Sequence, residues 1–156
     1  MILYFVVTIL VAGIDQTLKI LVANNIKGKQ DISLFNGILR FTYTENLGAA
    51  FGLLQGAKYM FILLVVLLLS FYLYAMLRKK LDDKLLKLGL SLIAGGGVGN
   101  AIDRLLRGYV IDYIKVSFFP PICNFADYCI TSGVVLLVVY ICFCKNAPLK
   151  NKSEGN

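Results

Sequence analysis

The sequence predicts a membrane all-α protein of four transmembrane helices with a small β-structure outside the membrane. Of its 156 residues 58% are hydrophobic, and the mean hydropathy is +0.75, more apolar surface than a soluble domain of this size can bury. The apolar residues fall into four long runs with two alternating segments between them. We expect a single domain over residues 1–147 and a polar, flexible tail over 148–156.

Each apolar run is close to the ~20 residues that cross a ~30 Å hydrocarbon core. The predicted spans are residues 2–23, 59–77, 85–102 and 128–143. The first run lacks a basic start and a small-x-small cleavage site, so we interpret it as a helix and not as a removable signal peptide.

Two segments outside the spans alternate between apolar and polar residues. In the first, Asn36-Gly37 is a favoured two-residue turn followed by alternation over 39–44, which predicts a hairpin at about 30–45. The second alternating stretch is 108–116, and the two prolines that follow it prevent a helix before span four.

The distribution of basic residues predicts the orientation of the chain in the membrane. They crowd the short link between spans two and three and the end of span four: Arg78, Lys79, Lys80, Lys84, Lys87, Lys145, Lys150 and Lys152. Both regions, and with them both termini, are therefore expected in the cytoplasm, and the alternating segments outside. The net charge of +7 then faces anionic lipid head groups, and no motif indicates nucleic acid as a partner.

Polar residues from separate segments are predicted to meet at one membrane level. At 1.5 Å per residue, Asp15 lies about 20 Å along span one, and the polar stripe of span three lies roughly 22–28 Å along it. The predicted cluster consists of Asp15, Asn46, Asn100, Asp103, Arg104, Asp112 and Asp127. Ionisable groups near hydrocarbon cost several kcal/mol unless they are paired, so such a cluster usually marks function.

Most of these residues also have a simple structural interpretation. Asp15 and Lys19 are spaced as a helix ion pair, and the stripe on span three fits side chains that reach for the head groups. Asn124 and Asp127 are spaced as a capping box, so Asp127 alone fits a cap as well as a catalyst. Asp112 has no comparable local explanation. The Gly95-x-x-x-Gly99 spacing indicates close helix packing.

The chain has no histidine, which removes the Ser-His and Cys-His pairs and makes a catalytic zinc site improbable. No cofactor is therefore expected. Hydrolysis would then use two aspartates, or the weakly indicated pair of Lys115 and Ser117. Two neighbouring carboxylates share one proton, so one can take a proton from water while the other polarises the scissile carbonyl.

A non-enzymatic function is the alternative from a different class. Asp15, Lys19, Asp103 and Arg104 could form an ion or proton pathway. The depth of the polar residues argues against such a pathway. A conduit needs polar residues through the whole bilayer, and the inner halves of the spans carry almost none.

Five segments, in this order and spacing, resemble the lipoprotein signal peptidases, also called signal peptidase II. They are Asp15-Gln16-Thr17-Leu18-Lys19, Asn46-Leu47-Gly48-Ala49-Ala50-Phe51-Gly52, Gly99-Asn100-Ala101-Ile102-Asp103-Arg104, Val110-Ile111-Asp112-Tyr113 and Asn124-Phe125-Ala126-Asp127. The resemblance implies a monomeric aspartyl endopeptidase of the bacterial plasma membrane, with its site near the outer face. It implies a prolipoprotein substrate carrying diacylglycerol on its lipobox cysteine, cut just before that cysteine.

The resemblance assigns the catalytic pair to Asp112 and Asp127. The supporting residues that it implies are Asp15, Lys19, Asn46, Gly48, Ala50, Asn100, Asp103, Arg104, Asn124 and Ala126. The hairpin would be a small β-cradle on the membrane surface, and the second outer loop would include a flap over the site. The chain has Cys123, Tyr128 and Tyr113 where the family usually has Phe, Ser and Phe. An inactive homologue, suggested by Tyr128, is the remaining alternative.

Overall fold

The computed structural model describes residues 1–48, 56–78, 81 and 83–144. Its four long helices are α1 (Ile2–Asn25), α2 (Lys58–Leu77), α3 (Lys84–Leu106) and α4 (Phe125–Val139), the last continued by a π-helical turn at Tyr140–Cys144. Among the described residues, these four helices are long and apolar enough to cross a membrane. The predicted four-span architecture is therefore confirmed, while the predicted tail over 148–156 lies outside the described residues.

Helices α3 and α4 extend beyond their predicted bounds at the ends next to the sheet, and the additional residues include site residues. Helix α3 continues to Leu106 instead of ending at residue 102, so Asp103 and Arg104 are helical. Helix α4 begins at Phe125 instead of residue 128, so Asp127 lies in its first turn. The apolar runs stop short of these ends because the polar side chains there bond to one another inside the protein.

The two outer segments form one four-stranded antiparallel sheet. In spatial order its strands are β1 (Ile32–Leu34), β2 (Leu39–Asn46), β3 (Val110–Val116) and β4 (Phe119–Cys123). The predicted hairpin is present as β1 and β2, but Leu34 pairs with Leu39, so residues 35–38 form a longer connection than a two-residue turn. The second alternating segment and the residues after it supply two further strands, β3 and β4, of the same sheet.

Strand β3 is held in the interior of the protein. Its first four residues are all buried and do not alternate, because Ile111 and Tyr113 pack against Val22 and Ile26 at the end of α1. Asp112 lies between these two apolar residues and is 3% exposed. The sheet therefore presents Asp112 from a fixed, buried strand.

Glycines bring α3 into close contact with α1 and α4. A Cβ on Gly95 would lie 2.7 Å from a side-chain carbon of α1, and a Cβ on Gly99 would meet the Asp15 carboxylate. The close packing predicted from the Gly95-x-x-x-Gly99 spacing is therefore confirmed. On the adjacent face, a Cβ on Gly96 would lie 2.5 Å from the carbonyl oxygen of Ala126 in α4. The outer end of α3 is thus next to both α1 and the start of α4.

The half of the bundle that is further from the sheet contains a small polar cluster that was not predicted from the sequence. The Tyr72 hydroxyl of α2 lies 3.0 Å from Thr8 Oγ1 of α1 and 3.3 Å from Ser91 Oγ of α3. These three hydroxyl groups join three helices and are bonded mainly to one another and to backbone carbonyls. They do not include the carboxylate or ammonium groups on which the ion-pathway interpretation rests.

Candidate active site

A cavity of about 280 Å³ lies where the sheet meets the end of α3 and the start of α4. Its polar lining residues are Asn46, Gly48, Asn100, Arg104, Asp112, Asn124 and Asp127. Its other lining residues are Val110, Phe119, Pro121, Ile122 and Cys123. Both aspartates assigned by the resemblance therefore border one cavity, with a largely apolar wall beside them.

Two asparagine side chains hold the Asp112 carboxyl group. Asn46 Nδ2 donates to one carboxyl oxygen at 2.7 Å, and Asn124 Nδ2 donates to the other at 2.6 Å. The amide oxygens of both asparagines accept backbone N–H groups, from Gly48 at 2.9 Å and from Asp127 at 3.0 Å. Because these backbone bonds fix which side of each amide faces Asp112, both oxygens of Asp112 meet N–H donors.

The environment of Asp112 favours its protonated form. Burial is the largest cause that raises its pKa, to about 6, and the nearby negative charge of Asp127 acts in the same direction. The hydrogen bonds from Asn46 and Asn124 and the charge of Lys19 oppose this rise. A carboxyl group whose pKa is near neutral pH can both release and accept a proton during a reaction.

Asp127 lies in the first turn of α4. Its Oδ1 accepts from Asn100 Nδ2 at 2.9 Å, and its Oδ2 accepts from the Asn124 backbone N–H at 3.0 Å. Asn124 and Asp127 form a reciprocal capping box, so the capping interpretation is confirmed. The same carboxyl group lines the cavity.

A buried charge cluster lies behind the cavity. Lys19 Nζ is 2.8 Å from Asp15 Oδ2, 3.0 Å from Asp103 Oδ2 and 2.8 Å from Asn100 Oδ1. The three charged residues are completely buried. The interactions with their partners must therefore compensate for the hydration that each charge loses. The predicted ion pair of Asp15 and Lys19 is confirmed, and Lys19 also reaches α3. Through Asn100, this cluster contacts Asp127.

Arg104 connects α3 to the chain that follows β2. Its Nη2 donates to the Gly48 carbonyl oxygen at 3.0 Å, and its guanidinium lies 4.5 Å from the ring centroid of Phe61 in α2. Arg104 also lines the cavity, where its positive charge interacts with both Asp112 and Asp127. The charge reduces the repulsion between two carboxylates facing the same space.

The first turn of α4 receives hydrogen-bond acceptors from two other elements. The Ala126 N–H donates to Asp15 Oδ1 at 3.1 Å, which accounts for the position of Ala126 in the predicted site. The Phe125 N–H donates to the Tyr113 hydroxyl at 3.3 Å. From the sequence, Tyr113 was noted only as a departure from the family pattern. The only feature that could have indicated this hydrogen bond between β3 and α4 is that Tyr113 directly follows Asp112 in the chain.

The remaining predicted residues have different outcomes. Ala50 lies outside the described residues. Lys115 and Ser117, the alternative nucleophilic pair, do not line the cavity. Tyr128 is 42% exposed and is also absent from the lining, so its bulk does not fill the cavity. In the part of the chain that the structure describes, no group of three Cys, Asp or Glu residues is arranged to hold a metal ion.

Cys123 is the one thiol in the cavity lining. Burial, followed by the negative charges of Asp127 and Asp112, raises its pKa to about 11. The thiolate is the nucleophilic form of cysteine, and a pKa this high keeps the thiol neutral near pH 7. Cys123 is therefore a poor candidate for a nucleophile.

Comparison with solved structures identifies the class of protein. One similar structure is a bacterial membrane enzyme determined by the in meso method at 2.3 Å resolution. It has a TM-score of 0.83 and 28% sequence identity, and the match covers 98% of this chain and 94% of the enzyme's chain. A second, determined by the same method at 1.9 Å resolution, gives a TM-score of 0.80 at 28% identity and covers 90% and 92% of the two chains. The fold is that of bacterial membrane enzymes.

Sequence comparison identifies the family. The family model described as signal peptidase (SPase) II matches residues 7–143. A lipoprotein signal peptidase of Halothermothrix orenii is 36% identical, covering 88% of this chain and 93% of the relative. One of Clostridioides difficile is 39% identical and covers 90% and 95%. The chain belongs to the signal peptidase II family and is a membrane protease.

Proposed function

We propose that this protein removes the signal peptide from diacylglyceryl-modified prolipoproteins, cutting just before the lipidated cysteine, with Asp112 and Asp127 as its catalytic pair. The observation that carries the proposal is that these two carboxyl groups, from β3 and from α4, line one cavity at the end of the bundle next to the sheet. Membership of the signal peptidase II family supports signal-peptide cleavage from lipoproteins as the reaction.

The two aspartates have different roles in this proposal. Asp127 is the base, because it lines the cavity and both of its oxygens accept hydrogen bonds, one from Asn100 and one from a backbone N–H in the first turn of α4. Asp112 carries the proton, because its carboxyl group is buried and its pKa is raised to about 6. One proton shared between two neighbouring carboxyl groups is the usual arrangement when both cannot ionise together.

The reaction then proceeds by activation of water. Asp127 takes a proton from a water molecule as the water oxygen adds to the scissile carbonyl carbon, and Asp112 gives its proton to the carbonyl oxygen. The C–N bond breaks as the leaving nitrogen takes the proton now held by Asp127. Asp112 recovers its proton from the hydroxyl group of the tetrahedral intermediate. The products are the signal peptide with a new carboxyl terminus and the lipidated cysteine with a free amino group.

The position of the cavity supports a substrate that is itself in the membrane. The cavity lies at one end of four apolar helices, and Phe119, Pro121 and Ile122 provide an apolar wall opposite the carboxyl groups. With both termini in the cytoplasm, as the basic loops indicate, this end faces outward. A diacylated cysteine at the outer leaflet would present its peptide bond at this level.

The test is cleavage by the purified protein of two synthetic precursors that differ only in the diacylglyceryl group. We expect the lipidated precursor to give one product beginning with the modified cysteine, identified by mass spectrometry, and the unmodified precursor to remain intact. Equal cleavage of both precursors, or a cut at another bond, would contradict the proposed substrate. No cleavage of either by folded protein would instead support an inactive homologue.

A further inference from the structure

Asp103 is a completely buried carboxylate that contacts four hydrogen-bond donors. Its Oδ2 accepts from Lys19 Nζ at 3.0 Å and from the Ile111 backbone N–H at 3.1 Å. Its Oδ1 accepts from Gln16 Nε2 at 3.1 Å and from Arg107 Nη1. The two oxygens therefore have separate partners, and the bonds to both oxygens restrain the rotation of the carboxylate plane.

The partners of Oδ2 connect Asp103 to both catalytic aspartates, through the chain on one side and through hydrogen bonds on the other. In one direction, Asp103 holds the backbone N–H of Ile111, the residue immediately before Asp112 in β3. In the other direction, it holds Lys19, whose ammonium group donates to Asn100, and Asn100 donates to Asp127. A rotation of the Asp103 carboxylate would therefore disturb the positions of both catalytic groups.

Gln16 and Arg107 are the two residues that bind Oδ1 and restrain the rotation from that side. The Gln16 side chain is itself held by the Gly99 carbonyl oxygen, which accepts from Nε2 at 2.9 Å. Arg107 Nη1 donates both to Asp103 Oδ1 and to Gln16 Oε1, the latter at 3.2 Å. The three side chains form a closed set of contacts between α1 and the end of α3. Neither Gln16 nor Arg107 lines the cavity.

We propose that Gln16 and Arg107 are positioning residues, which orient the Asp103 carboxylate and through it align Asp112 and Asp127. The inference rests on the proposed function of these two aspartates. It predicts an effect on the chemical step and not on substrate binding, because the two residues lie behind the cavity. A small misplacement of a reacting group can lower turnover by a large factor even when the substrate binds normally.

The experiment measures kcat and KM of Gln16→Met, Arg107→Met and the double variant on lipidated precursor, per mole of folded protein. We expect each single change to lower kcat by about tenfold to a hundredfold with KM altered less than about twofold. Because both residues act through the same oxygen, the double variant should lose little more than the worse single variant. Arg107→Lys, which retains a cation near Asp103, should recover part of the activity.

Thr17→Val and Arg40→Met are the matched controls, since both side chains are exposed and outside the contacts of Asp103. They should behave like the original protein. If Arg107→Met does not fold, the uncharged change at Gln16 still decides the question. Unchanged kcat in the folded variants, a loss confined to KM, or fully additive losses would overturn the inference. Cleavage retained in Asp112→Asn or Asp127→Asn would instead reject the proposed function, so the two failures are distinguishable.

Discussion

Asp112 and Asp127 have the same functional group but different surroundings. Asp112 is buried in a strand between apolar residues, with two side-chain amides as its donors. Asp127 begins a helix and accepts a backbone N–H as well as a side-chain amide. Environments that separate the proton affinities of two carboxyl groups are how an acid and a base can work together at one pH.

The hydrogen bond from Asn46 should set the upper pH limit of activity. Asp112 has a raised pKa of about 6, so its proton, and with it the active form of the pair, is lost as the pH rises through that value. Asn46 stabilises the ionised form, so Asn46→Ala should raise the pKa of Asp112 further. We expect the alkaline limb of the kcat/KM profile to move up by about one pH unit.

This shift should be specific to the amide that contacts Asp112. Asn25→Ala is the control, because the Asn25 amide is exposed and donates only within its own helix. Three charged groups act on Asp112, namely Asp127, Lys19 and Arg104, and all three are intact in both variants. An alkaline limb that stays in place or moves to lower pH in Asn46→Ala would mean that Asp112 does not carry the required proton.

At the residue scale, sequence reasoning found most of the described site but not its internal contacts. Depth placed the polar residues at one level, and the resemblance selected Asp112 and Asp127 from among them. Gln16 belongs to the first matching segment, and Arg107 lies on the same helix face as Asn100 and Asp103. Nothing in the sequence distinguishes either residue from an ordinary surface residue. Their importance depends on Asp103, which only the folding of α1 against α3 brings near them.

The contact between α3 and α4 should be more sensitive to added volume than the contact between α3 and α2. A Cβ on Gly96 would lie 2.5 Å from the Ala126 carbonyl oxygen, next to Asp127 in the chain. A Cβ on the neighbouring Gly97 would be no closer than 3.5 Å, to Leu68 of α2. The first contact is with backbone, which cannot move away without displacing the first turn of α4.

We therefore expect Gly96→Ala to destabilise the protein by about 1–3 kcal/mol and to lower cleavage at least tenfold, because Asp127 shifts with α4. Gly97→Ala should retain activity and should not lower the unfolding temperature, because alanine favours helix by up to about 1 kcal/mol over glycine. Thermal unfolding and cleavage of the lipidated precursor measure both effects. Equal tolerance of the two changes would contradict the close approach of α3 and α4.

At the element scale, the sequence predicts the spans better than it predicts their ends. Hydropathy finds apolar runs, but the last turn of α3 and the first turn of α4 are polar because they build the site. The joining of β3 to β2 was also not predicted. Its register, in which Thr44 pairs with Asp112, forms between residues far apart in the chain, and local alternation contains no information on that pairing.

At the scale of the whole molecule, the buried charged groups are concentrated at one end of the bundle. The buried cluster of Asp15, Lys19 and Asp103 lies at the same end as the cavity, and the other end has the hydroxyl cluster around Tyr72. Charges that are paired with one another avoid most of the cost of an unpaired ion in this setting. This distribution fits a site at one surface better than a conduit through the bilayer.

The orientation proposed from the basic loops predicts which surface that is. A cysteine at position 33 of the exposed strand β1, introduced as Ser33→Cys, should react with a membrane-impermeant maleimide added to intact cells. A cysteine appended after residue 156 should react only after the membrane is made permeable. Both variants are made in a background without the native cysteines. The reverse pattern would place the cavity at the cytoplasmic face and contradict the proposed path of the substrate.

The central claim is that Asp112 and Asp127 together perform the cleavage, and the most direct test is turnover of lipidated precursor by purified Asp112→Asn and Asp127→Asn. Each change keeps the size of the side chain and removes its ability to exchange a proton. Asp31→Asn, at an exposed carboxylate just before β1, is the control and should be fully active. We predict that both cavity variants fold and lose turnover by about 10³-fold or more. Substantial cleavage by either folded variant would contradict the account.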